Sequence, residues 1–120
     1  MTCVLVVDDE VTVLKNIARS LRRSGFEVVT AMDCQNAMSA FEQYTFDALC
    51  LDIALPDCDG LEFLEEVRQF APTLPTIVIS SAVTAENKRR ADRLGVVNFL
   101  PKPFRLAELK EALARFIVSA

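Results

Sequence analysis

Five short apolar runs alternate along this chain with five segments whose apolar residues recur at helical spacing, and that alternation leaves few folds open. The runs are Cys3-Val4-Leu5-Val6-Val7, Glu27 to Ala31, Ala48-Leu49-Cys50-Leu51, Thr76 to Ser80, and about Val97 to Leu100. The core runs are continuously hydrophobic rather than alternating, as strands covered on both faces are. Between them, Val13, Leu14, Ile17, Ala18 and Leu21 mark a first helix that stops at Gly25. Asp33 can cap a second helix with Ala37, Met38 and Phe41 on its apolar face, and Leu61, Phe63, Leu64 and Val67 mark a third. Thr84 caps a charged fourth helix ending near Gly95, and Leu106, Leu109, Ala112, Leu113, Phe116 and Ile117 form the core stripe of the fifth. Strand and helix in strict alternation, joined by right-handed crossovers, predict a doubly wound (βα)5 three-layer sandwich with a parallel sheet of order 2-1-3-4-5, one domain over residues 1–120.

Composition excludes several function classes. A formal charge of -4 argues against a broad nucleic-acid footprint, which needs clustered Lys and Arg. The longest apolar runs are about five residues against the roughly 20 of a membrane-spanning helix, so no span is expected. No basic leader precedes the first strand, so no secretory signal is expected either. Cys3, Cys34, Cys50 and Cys58 are scattered, two of them inside buried strands, and read as reduced residues rather than a disulfide framework. That reading places the chain in the cytoplasm. With no histidine and no close cysteine pair in the sequence, a zinc site is not expected.

The chemistry lies in what ends each strand. The first ends in Asp8-Asp9, the third in Asp52, the fourth in Ser80-Ser81, and the fifth runs into Lys102-Pro103. Taken singly, each has an ordinary explanation: a helix cap, a turn residue, a solvated charge. Jointly they point elsewhere, because ligands in open α/β sheets bind outside the carboxyl ends of the strands. Three carboxylates, Asp8, Asp9 and Asp52, are expected to converge there, and like charges about 4 Å apart repel by roughly 4 kcal/mol at an effective dielectric near 20. A hard divalent cation is the natural counter-charge.

With these residues in view, the chain resembles the receiver domains of bacterial two-component response regulators. The resemblance rests on Asp8-Asp9, on Asp52-Ile53-Ala54-Leu55-Pro56-Asp57-Cys58-Asp59-Gly60, on Pro75-Thr76-Ile77-Val78-Ile79-Ser80-Ser81, and on Asn98-Phe99-Leu100-Pro101-Lys102-Pro103-Phe104. It implies a flavodoxin-like fold in which Asp52 accepts a phosphoryl group and the acid pair with Asp52 holds Mg2+. It implies further that Ser80 and Lys102 serve the transfer, that Phe99 is an aromatic switch, and that the Lys102-Pro103 bond is cis. The implied partners are a sensor histidine kinase or phosphotransfer protein as donor and a downstream effector domain or protein, with no membrane and no direct nucleic-acid contact by this domain.

Elementary chemistry agrees with those roles. An aspartyl carboxylate can form an acyl phosphate. Octahedral Mg2+ suits Asp9 and Asp52 as direct ligands, Asp8 through water, and the backbone carbonyl of Ala54. Lys102 is a mobile point charge for Asp52 and then for a phosphoryl oxygen, while Ser80 donates one hydrogen bond and Ser81 leaves room. The chain departs from the commoner family pattern in having Ser80 for threonine and Phe99 for tyrosine. Ala54 and Ala82 stand where family side chains influence dephosphorylation, and neither can orient water, which predicts a persistent acyl phosphate. Cys58 reads as a tolerated loop residue. The function expected is therefore a phosphorylation-activated signalling switch that catalyses only its own phosphoryl transfer and dephosphorylation. Two alternatives are a small aspartyl-phosphate phosphohydrolase, which lacks the usual second acid at Ala54, and a non-phosphorylated docking module.

Overall fold

The structure, a computed structural model, describes residues 2–116. Its elements are β1 (Cys3–Val7), α1 (Val11–Arg23), β2 (Glu27–Ala31), α2 (Cys34–Gln43), β3 (Ala48–Leu51), α3 (Gly60–Phe70), β4 (Thr76–Ser80), α4 (Ala85–Arg93), β5 (Asn98–Pro101) and α5 (Leu106–Phe116). The five strands form one parallel sheet in the order β2-β1-β3-β4-β5. This is the doubly wound architecture expected from the alternation.

The pleat explains the layers. Val4 and Val6 of β1, Cys50 of β3, and Ile77 and Ile79 of β4 face a core closed by Leu14, Ile17 and Leu21 of α1 and Leu109 and Leu113 of α5. The alternate residues Leu5, Val7, Leu49 and Leu51 face Ala37 of α2 and Phe63, Leu64 and Val67 of α3. Both faces of the central strands are thus covered, which is why their sequences show no polar alternation. A third cluster, Ile53, Leu61, Val78 and Ala91, fills the space under α4. Side chains close three helix starts: Asp33 accepts from Asn36 N, Asp59 from Leu61 N and Thr84 from Asn87 N. Gly25 and Gly95 follow α1 and α4 with positive φ of 96° and 74°, the usual glycine stop.

Three expectations change. The fifth strand is Asn98–Pro101, one residue later than its apolar content suggests; β5 is an edge strand, where proline is tolerated, and Pro101 lies opposite Ser80. Phe116 is 44% exposed and does not join the core stripe of α5, while Ile117 lies outside the described residues. Cys34 and Cys58, read as reduced, form a disulfide, with Cα atoms 6.3 Å apart. They are separated by 24 residues in sequence, but the parallel topology sets the first turn of α2 beside the loop that leaves β3. Cys3 and Cys50 are buried thiols in β1 and β3, as expected.

Candidate functional site

Strand register builds the site. Val7 of β1 pairs with Leu51 of β3, and the Asp52 N–H donates to the Val7 carbonyl at 2.9 Å, so the next residues, Asp8 and Asp52, leave the sheet side by side. At the other side of β4, Ser80 pairs with Pro101 and the Lys102 N–H donates to the Ser80 carbonyl at 3.0 Å. The Lys102-Pro103 bond that follows is cis. All these ends open on one edge of the sheet.

Lys102 is the centre of the cluster. Its Nζ lies 2.9 Å from Asp52 Oδ2, 2.9 Å from Asp8 Oδ2 and 2.7 Å from Glu10 Oε1. Asp8 is fully buried and Asp52 is 2% exposed. The Asp8 Oδ1 atom accepts from the Glu10 N–H at 2.8 Å, and Asp52 Oδ1 accepts from the Ala54 N–H at 2.9 Å. Asp8 Oδ2 has the ion-pair contact with Lys102 but no well-directed hydrogen bond, so one buried acceptor is left for another partner.

Asp9 is not in this cluster. It is exposed, and the carboxylates whose oxygens come together are Asp8, Glu10 and Asp52. Side chains alternate at the end of an extended strand, so Asp8 turns inward and Asp9 outward. The tight turn closed by Asp8 then brings Glu10 back over Lys102. Glu10 escaped the sequence reading, although it stands third in the acid run Asp8-Asp9-Glu10.

Ser80 is fully buried, and its Oγ accepts from the Ala82 N–H at 3.0 Å, leaving the hydroxyl proton to donate. Ser81 and Ala54 are exposed at the mouth. Phe99, half-buried, packs against the cluster of Ile53, Leu61, Val78 and Ala91 together with Ala82 and Leu94. Gly60 starts α3 with its N–H on the Ile53 carbonyl; a Cβ there would lie 2.5 Å from Ile53 Cα and 2.8 Å from the Asp52 carbonyl oxygen, so only glycine fits. Asp57 on the same loop accepts from Cys34 N at 2.9 Å and Gln35 N at 3.1 Å, and Asp59 Oδ2 pairs with Arg90 at 3.0 Å. The loop after Asp52 is therefore tied at its far end to α2, α3 and α4.

Electrostatics follow from this packing. Burial pushes the Asp8 carboxyl above its ordinary value of 3.8; the Asp52 charge adds to that, and the Glu10 N–H and Lys102 oppose it. Burial works against the Lys102 charge, but its hydrogen bonds to Glu10 and Asp52 and its ion-pair contact with Asp8 outweigh burial and hold its pKa above the usual lysine range. A carboxyl raised in the folded state favours folding fully below its unfolded value, and that contribution is lost as pH rises through the folded value. Asp8→Asn is therefore expected to stabilise the metal-free protein by roughly 1 kcal/mol at pH 7 and not at all below 3.8. Urea unfolding of both proteins in chelator at several pH values checks this. A difference that does not vary with pH would contradict it.

A sequence model of the family described as the response regulator receiver domain matches residues 4–114. The chain belongs to that family. Among curated proteins, this receiver domain is similar to the transcriptional regulatory protein PrrA of Mycobacterium tuberculosis, 39% identical over 106 residues that cover 88% of this chain and 46% of the relative. It is also similar to the transcriptional regulatory protein KdpE of Mycobacterium tuberculosis, at 34% identity covering 100% of this chain and 54% of the relative. The chain thus spans about half the length of the curated relatives it matches. Among solved structures, a CheY-like receiver domain protein from Methanospirillum hungatei superposes with a TM-score of 0.92 at 26% identity, covering 96% of this chain and 92% of that one. The response regulator TrrA from Thermotoga maritima, solved in complex with Mg(2+)-BeF, superposes with a TM-score of 0.85 at 26% identity, covering 98% and 100%. The chain is thus a receiver domain of two-component response regulators, and a phosphorylation-switch role fits that family. Among the described residues, no helix is long and apolar enough to cross a membrane.

Proposed function

We propose that this receiver domain is switched by transfer of a phosphoryl group to Asp52 from a sensor histidine kinase or phosphotransfer protein, and that the surface of α4, β5 and α5 carries the change to a downstream effector domain or protein. The observation that carries this reading is the pairing of a nearly buried Asp52 with Lys102 at the open edge of the sheet, at 2.9 Å. Asp52 is held by the Ala54 N–H through Oδ1, which leaves Oδ2, the oxygen on Lys102, as the nucleophile. Lys102 lowers the repulsion between Asp52 and an incoming phosphoryl group, then follows the charge onto a phosphoryl oxygen. Ser80 donates its hydroxyl proton to that group. The domain acts as catalyst only for its own phosphorylation and dephosphorylation, and its proposed compartment is the cytoplasm.

The donor set fits Mg2+. Oxygens of Asp8, Glu10 and Asp52 come within 4.8 Å of one another, all are hard ligands, and Asp8 Oδ2 is a buried acceptor with capacity to spare. Asp8, Asp52, the Ala54 carbonyl and Asp9, after rotation of its exposed side chain, would hold the ion, with Glu10 as a further carboxylate at the rim. When bound, Mg2+ offsets the charge of the acids and of the phosphoryl oxygens. Lys102 reaches the same acids through a long, flexible side chain, which would let it share them with the ion.

The output follows from packing. If Ser80 turns toward the phosphoryl group, space opens beside β4, and Phe99, two positions before the Ser80 partner Pro101, can turn inward to fill it. One charge-assisted hydrogen bond plus better ring burial supplies about 3 kcal/mol, roughly a 100-fold shift in population. Beryllofluoride with Mg2+ is expected to move NMR resonances of α4, β5 and α5 in the parent, to move none in Asp52→Asn, and to leave the shifts confined to the site in Ser80→Ala. Full propagation in Ser80→Ala would refute the coupling.

A further inference from the structure

We propose that Cys34 and Cys58 are a reversible thiol–disulfide exchange site for neutral or cationic small thiols, and that its closure holds the loop bearing Asp52 in its metal-binding shape. The second half of this proposal rests on the function proposed above; the first half does not.

The four cysteines differ in bonding and in what surrounds them. Cys3 and Cys50 lie within strands, both with thiol pKa values raised chiefly by burial, that of Cys50 to about 12. Such thiols are inert. Cys34 is 8% exposed, no more than Cys3, but it is bonded to Cys58, which is half-buried in the loop after β3. Their bond forms part of the wall of a cavity of about 290 Å³, together with Gln35, Met38, Asp57 and Glu62. An attacking thiol can therefore reach the Cys58 sulfur from solvent while Cys34 is shielded.

The geometry assigns the roles. A thiolate entering through the cavity attacks Cys58 Sγ; the new bond is a mixed disulfide, and the electron pair of the old bond leaves on Cys34 Sγ, which takes a proton. Cys34 is the first residue of α2, where the helix terminus favours a leaving thiolate, partly offset by the Asp57 carboxylate on its N–H. A second thiol molecule then attacks the mixed disulfide, freeing Cys58 as a thiol and releasing the small disulfide. Two thiols are oxidised and one protein disulfide is reduced; a small disulfide drives the reverse.

Charge sets the substrate class. Asp57, Glu62 and Glu66 line the cavity, with no basic side chain among its walls. A cleft of one sign depletes ligands of that sign and concentrates the opposite. Anionic thiols such as glutathione should therefore react slowly here, and cationic ones such as cysteamine fast.

The link to the phosphorylation site is the chain itself. Cys58 stands six positions after Asp52, and the Asp57 carboxylate between them holds the first two N–H groups of α2. Closing the bond adds a covalent tie to this polar one. Opening it leaves the loop held to α2 by the Asp57 carboxylate without the covalent tie.

The test uses the full chain. Native protein is treated briefly with cysteamine, 2-mercaptoethanol or glutathione, each rate normalised to that thiol's rate with hydroxyethyl disulfide, then alkylated and mapped by peptide mass. Labels are expected on Cys34 and Cys58 and not on Cys3 or Cys50, with cysteamine about tenfold faster than glutathione and the gap narrowed in Glu62→Gln/Glu66→Gln. Equal rates for the three thiols, or equal labelling of all four cysteines, would overturn the exchange site. Mg2+ titration of the oxidised and reduced parent, and of Cys58→Ser in case reduction is incomplete, then tests the loop. Binding several-fold weaker in the open forms supports the coupling, equal binding overturns it, and absence of Mg2+ binding in every form overturns the metal site itself.

Discussion

Replacing Lys102 with methionine is expected to destabilise the metal-free receiver domain by about 3–5 kcal/mol, the usual cost of removing one partner from a buried ionic cluster. The side chains of Asp8 and Asp52 are 0% and 3% exposed, and Lys102 is the only cation within ion-pair distance of either among the described residues. Without it two buried carboxylates face each other, and the fold must either bear their repulsion or take up a proton. Because burial already raises the Asp8 carboxyl, that proton goes to Asp8, so the deficit should shrink as pH falls toward the carboxylate range. Millimolar Mg2+ should restore much of the loss, since an ion held at the proposed site would bind the folded state and not the unfolded one. Urea unfolding with chelator and with Mg2+ measures both effects. A loss below about 1 kcal/mol, or one indifferent to metal, would show that Lys102 is not what offsets the acids.

Opening the Cys34–Cys58 bond should have an effect of similar size for a different reason. The bond joins residues 24 positions apart, and the chain-entropy model assigns about 3.5 kcal/mol to a loop of that length. For a domain of about this size, that corresponds to a fall of roughly 10 °C in the unfolding temperature. Calorimetry of the oxidised protein, the reduced protein and Cys34→Ala/Cys58→Ala decides it. The reduced protein and the double variant should agree within a few degrees, because the polar tie from Asp57 to α2 survives in both. An unchanged midpoint would mean that the native packing, not the bond, sets the stability of this region.

The contrast between these two features marks how far the sequence could be read. The strands were legible because Val4, Leu5, Leu49 and Ile77 are apolar on both faces, a pattern that parallel sheets require and amphipathic helices do not show. Once the order of strands is known, Asp8, Asp52, Ser80 and Lys102 must share one edge, so their convergence follows from topology alone. What topology does not fix is rotation about the last residue of a strand. Asp8 and Asp9 are chemically alike, and only the turn closed by the Glu10 N–H on Asp8 decides that Asp8 is buried while Asp9 is exposed and Glu10 lies over Lys102. The cysteine pairing was hidden for a related reason. Nothing in residues 34 and 58 announces contact; it arises from the seating of α2 against the β3–α3 loop, a tertiary contact that local pattern does not carry. Phe116 shows the same limit: helical spacing puts it in line with Leu109 and Leu113, yet it is 44% exposed.

Every role proposed for this domain depends on Asp52 as the one acceptor of the phosphoryl group. The direct measurement is to incubate the protein with acetyl phosphate and Mg2+, trap the acyl phosphate by borohydride reduction, which converts the modified aspartate to homoserine, and locate that residue by peptide mass. Homoserine is expected at position 52 and nowhere else, with a single added phosphoryl group by intact mass and neither signal in Asp52→Asn. Homoserine at position 8 or 9, or an undiminished mass shift in Asp52→Asn, would contradict it.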